Sequence, residues 1–76
     1  MNKTKIKRLK DGISYITKAI HIIESVKDEE EESLNSLPDN LADSNRALEM
    51  ENNIDIMEEA YGILEEAISI ISDISN

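Results

Sequence analysis

Apolar residues recur along this chain in two parallel series, and each half of the chain carries both. In the second half, Ala47, Met50, Ile54, Met57, Tyr61, Leu64, Ile68 and Ile71 alternate spacings of three and four. That is the a/d spacing of a packed helix. Beside it, Ile56, Ala60, Ile63, Ala67, Ile70 and Ile74 form a second series at heptad positions c and g. The first half repeats the arrangement, with Ile6, Leu9, Ile13, Ile16, Ile20 and Ile23 in one series and Tyr15, Ala19, Ile22 and Val26 in the other. Each helix thus has two faces to bury, and two helices can bury only one against each other.

The pattern predicts an all-α fold: one domain over residues 1–76, with helices near 3–33 and 44–74 joined by a connector over 34–43. Pro38, Asp39 and Asn40 carry the turn signal. They favour an antiparallel hairpin over one continuous helix, with a short helical turn starting near Pro38. Leu34, Leu37 and Leu41 are expected to cap one end of the bundle, and Asp43 or Ser44 to cap the second helix. Gly12 falls at a g position, where it either admits a neighbouring helix or is simply tolerated at a cost of about 1 kcal/mol. Gly62, at b on the polar side, has no evident role.

The second series predicts association. Tyr15, Ile22, Val26, Ile56, Ile63, Ile70 and Ile74 are its large members, and at about 1.5 to 3 kcal/mol each their burial contributes on the order of 10 to 20 kcal/mol as an upper bound. Left in water they form a patch larger than monomers usually expose. A homodimer forming a four-helix bundle buries both series. Spacing alone leaves open which series serves the hairpin and which the dimer, and whether the assembly is a dimer or a tetramer.

Size supports the same expectation. With 76 residues, no Cys and one His, the chain has neither disulfides nor a structural metal to supplement a small core. Its apolar stretches are short and its start is charged, so no signal peptide or membrane span is expected, and the reading is a cytoplasmic protein.

Charge adds direction. Lys3, Lys5, Lys7, Arg8 and Lys10 crowd the start, whereas residues 11–76 hold all 17 acids against Lys18, Lys27 and Arg46. Both ends of the first helix oppose its macrodipole: the basic start, and the acid run Asp28 to Glu32. A hairpin eases this conflict by bringing that run beside Arg46 and setting the basic start beside Glu65, Glu66 and Asp73. The acidic surface (Glu29, Glu30, Glu31, Glu32, Glu58, Glu59, Glu65 and Glu66) suits a basic protein partner. Nucleic acid and membrane are not expected partners over most of the length. Mimicry of nucleic acid is a further possibility: 17 acids along a hairpin of about 45 Å give about 0.4 charges per Å, against about 0.6 for duplex DNA.

Candidate chemistry is thin. Residue 18, three before His21, is Lys rather than the Glu of a di-iron motif. His21 and Ser25 lack an orienting carboxylate at matching spacing, the acid run lacks the glycine-centred alternation of a calcium loop, and no glycine-rich phosphate loop occurs. No enzymatic activity, cofactor or metal is expected.

The run Val26-Lys27-Asp28-Glu29-Glu30-Glu31-Glu32-Ser33 leads into Leu37-Pro38-Asp39-Asn40-Leu41-Ala42-Asp43-Ser44, followed by Arg46, Met50-Glu51 and Ile54-Asp55-x-Met57-Glu58-Glu59-Ala60. Over residues 24–70 this resembles a group of short acidic proteins of phages, prophages and other mobile elements of low-GC Gram-positive bacteria. The resemblance implies a helical hairpin and a genomic setting, and no site residues. The functional expectation is a non-enzymatic interaction protein, in its most concrete form an acidic inhibitor of a nucleic-acid-handling host or defence protein. The alternatives are an accessory assembly protein whose acids serve solubility, and a nucleic-acid-binding accessory acting through the basic start.

Overall fold

The computed structural model describes residues 1–75; Asn76, the last residue of the domain read from the sequence, lies outside them. Two helices, α1 (Lys3–Asn35) and α2 (Asn45–Ser75), flank a 3₁₀ turn over Asp39–Leu41, and no strand occurs among the described residues. They pack as an antiparallel hairpin about 60 Å long and 15 by 14 Å across. Among the described residues, no helix is long and apolar enough to cross a membrane.

Each boundary has a local cause. Asn2 caps α1, its side-chain oxygen accepting from the Lys5 amide at 2.8 Å, which satisfies one of the free N–H groups of the first turn. Helix α1 runs two residues beyond its expected end. There the Ser36 amide and hydroxyl both donate to the Glu32 carbonyl, at 3.0 and 2.8 Å. Pro38 then stops further propagation, and its carbonyl accepts from the Leu41 amide at 2.8 Å to start the 3₁₀ turn. Of the two N-cap candidates, Ser44 takes the role: its hydroxyl oxygen accepts from the Ala47 amide at 3.2 Å.

The a/d series builds the hairpin. Ile20, Ala47, Met50 and Ile54 are buried, and the rest of the series is half-buried. Three of the four buried residues lie in the first three turns of α2, so burial is deepest toward the connector and thins toward the open end. Leu34 and Leu37 pack at the closed end, but Leu41 stays exposed, held outward by the 3₁₀ turn.

Cross-hairpin contacts fix the register. Glu30 lies level with Asn53, which donates to it at 3.1 Å; Lys27 lies level with Glu58; Glu24 lies level with Tyr61. Continuing at equal rise, Ile22 is level with Ile63 and Tyr15 with Ile70, while the first turns of α1 reach past the level of Ser75. This corrects the expected pairing of the basic start with Glu65. That residue sits beside Thr17, Ile20 and His21, well short of Lys10, and the ion pair the basic segment does form is local, Lys7 to Asp11 at 3.7 Å.

Candidate interaction surfaces

In an antiparallel pair, the g positions of both helices border one edge of the seam and the e positions border the other. Position c adjoins g at 100° per residue. The c/g series of α1 and α2 therefore fall on the same flank of this hairpin. Tyr15, Ile22, Ile63 and Ile70 are 71, 65, 58 and 61% exposed, and Val26, Ile56 and Ile74 are exposed as well. All seven residues expected to associate are thus brought together on one face, and the a/d series, not this one, closes the hairpin. The c side chains stand as two ridges. Ala19, Ala60 and Ala67 lie at g between them. Gly12 joins the same flank, and a methyl group there meets nothing within 4 Å. Its missing side chain is not required by α2.

The acids divide differently. Glu31, Glu58 and Glu65 occupy e positions and line the opposite flank together with Glu24 and Glu51, which the sequence reading did not single out. Glu32 sits at f on the outer back of α1, and Glu59 and Glu66 sit together at f on the outer back of α2, facing away from Glu32. Glu30 is drawn into the seam by Asn53, and Glu29 lies at the connector end of the apolar flank. The eight acids do not form one surface. Two of them, Glu31 and Glu58, are held together by Lys27, which from a seam position places its ammonium 3.7 Å from each. Leu48, 57% exposed at b, is an apolar exception near this flank.

Further along the acidic flank, His21, Thr17, Glu24, Tyr61 and Glu65 line a shallow depression floored by Ile20 and Ile68. Two carboxylates share this depression with His21, Glu24 from the same helix and Glu65 from across the hairpin. The main effect falls on Tyr61, whose hydroxyl is held above its ordinary pKa by the charge of Glu24 first and of Glu65 next, with smaller effects from partial burial and a hydrogen bond to Glu24; Lys27 opposes them. Among the described residues, no group of three or more His, Asp or Glu side chains is arranged to hold a metal ion.

The fold is thus a two-helix hairpin with one apolar and one acidic flank. No protein-family model matches the chain, and no curated protein or solved structure is detectably similar to it.

Proposed function

We propose that this chain is a non-enzymatic interaction module that self-associates into a four-helix bundle through its apolar flank and presents its acidic flank to a basic protein. The carrying observation is the segregation of the two chemistries: the large exposed c/g side chains on one side, the e-position carboxylates on the other. A solvated hairpin needs neither the first nor the segregation. Between Glu65 and Glu51 the acidic flank carries seven acids at e and b positions along roughly 20 Å. That is about 0.3 charges per Å, about half the density of duplex DNA. The density suits docking on a basic groove better than imitation of a full duplex. The resemblance to mobile-element proteins supports a setting in a phage or related element, with the bundle inhibiting a nucleic-acid-handling host or defence protein in the cytoplasm.

The test is affinity capture from bacterial host lysate at low and high salt. Wild type is compared with Glu31→Lys/Glu58→Lys/Glu65→Lys and with Glu32→Lys/Glu59→Lys/Glu66→Lys. Inhibition requires a nucleic-acid enzyme that is released by salt and lost with the e-position variant. Equal loss with both variants shows that general charge is at work and overturns the flank. A salt-resistant partner lost in Ile63→Asp instead identifies an accessory assembly protein. Retention of DNA through Lys3 to Lys10, with no protein partner, identifies a nucleic-acid accessory.

A further inference from the structure

The apolar flank is bounded by unlike charges. Toward the open end it continues into Lys5 at g and Arg8 at c; toward the connector it continues into Glu29 and Glu49, both at c. All four are exposed, and among the described residues none of them makes an ion pair. In the cross-hairpin register the apolar stretch runs from the level of Ile74 to that of Ile56, with its middle near Ala19. Arg8 and Glu29 lie about equally far on either side of that middle, roughly 15 Å, and Lys5 and Glu49 roughly 20 to 25 Å.

We propose that the apolar flank receives a second copy of this chain turned end for end, so that Lys5 and Arg8 of each hairpin meet Glu49 and Glu29 of the other. The proposal rests on the self-association proposed above and specifies its geometry. A two-fold axis through the level of Ala19, perpendicular to the hairpin, places the apolar ridges of one copy over those of the other. The same operation brings each basic end against an acidic one. A parallel arrangement covers the same apolar residues but sets Lys5 and Arg8 against their own copies, and Glu29 and Glu49 against theirs. Arg46 lies one turn from Glu49 and lines one depression with it, so it weakens the Glu49 contact, and the Arg8–Glu29 pair carries the orientation. The apolar stretch is about 27 Å long on a face about 15 Å wide, roughly 400 Å², and with its charged ends the face reaches roughly 700 Å², a little under the ~800 Å² per partner of a standard stable interface. Its charge pattern is self-complementary, which a surface shaped for an unrelated protein does not need.

Two measurements test this. The chain has no cysteine, so Asn40→Cys in the connector accepts a single spin label. Pulsed dipolar spectroscopy should then give roughly 50 to 60 Å between labels in the end-for-end dimer, against about 20 Å in a parallel one. Sedimentation equilibrium at low salt should show Lys5→Glu/Arg8→Glu dissociating at least about tenfold more readily than wild type. Adding Glu29→Lys/Glu49→Lys to that variant should restore affinity to within about threefold, because the swapped charges again meet their opposites. A dimer with the short distance, or one indifferent to the first variant, overturns the orientation while leaving self-association standing. Wild type that stays monomeric at 100 µM overturns both, and leaves the flank to a different protein.

Discussion

Lys27 reaches across the hairpin to Glu58, its ammonium 3.7 Å from the carboxylate, from an a position that Ile6, Ile13, Ile20 and Leu34 fill elsewhere in α1. Its side chain is only 21% exposed, so the aliphatic stem covers the seam while the head stays among carboxylates. Packing should therefore matter more than charge. Lys27→Met is expected to change stability by less than about 1 kcal/mol, whereas Lys27→Ala should cost about 1 to 2 kcal/mol. Urea denaturation of the two variants checks the order.

Ile54 is buried against α1 near the closed end. Ile54→Ala should cost about 2 to 4 kcal/mol, through lost transfer energy and the cavity left behind. Glu59→Ala, on the outer back of α2, should stay within about 0.5 kcal/mol of wild type. Equal effects in thermal unfolding monitored by circular dichroism would contradict the described core.

Raising the Tyr61 pKa above its ordinary value near 10 ties that residue to stability at high pH. Because the folded form holds the phenolic proton more tightly than the unfolded form, the contribution is complete below pH 10. It is lost as pH rises through the folded pKa. Wild type should lose more stability than Tyr61→Phe between pH 9 and 11. Absorbance titration of Tyr15→Phe, which leaves Tyr61 as the one tyrosine, should show its phenol ionising above pH 10.

Ile63 stands on the apolar flank and contributes little to the hairpin itself. Ile63→Asp should shift sedimentation to the monomer at concentrations where wild type is associated, by at least tenfold in dissociation constant. In the proposed dimer the aspartate puts a charge where Ile63, exposed in the single hairpin, would be covered.

A methyl group at Gly62 meets nothing within 4 Å, and the residue lies inside a regular helix. Gly62→Ala should stabilise the chain by about 0.5 to 1 kcal/mol through the unfolded state and helix propensity. A higher melting temperature with unchanged association is the expected readout.

Periodicity carries most of this fold. Spacings of three and four placed both helices within two residues, and the Pro38 turn and Ser44 cap were legible because their chemistry is local. The division of labour between the two apolar series was not. Both have helical spacing, and only the packing of α1 on α2 assigns a/d to the hairpin and c/g to its flank. Register was also hidden, since it depends on how nine connector residues turn; hence Glu65 lands beside His21 and not beside Lys10. The acids illustrate the same limit: adjacent pairs such as Glu58 and Glu59 look like one patch in sequence, but 100° of rotation sends one to the flank and the other to the back.

The graded burial along the hairpin gives it the mechanics of a tuning fork. The prongs are joined firmly where Met50 and Ile54 are enclosed, and progressively less so toward Ile6 and Ile71, which remain half-wet. Fewer buried contacts join the tips than the closed end, so local opening is expected to begin at the tips. In the single hairpin the lysine-rich turns of α1 thus rest on the thinnest packing, while the carboxylates near the connector sit beside the firmest, so the positive end is the one that association with a partner would do most to hold.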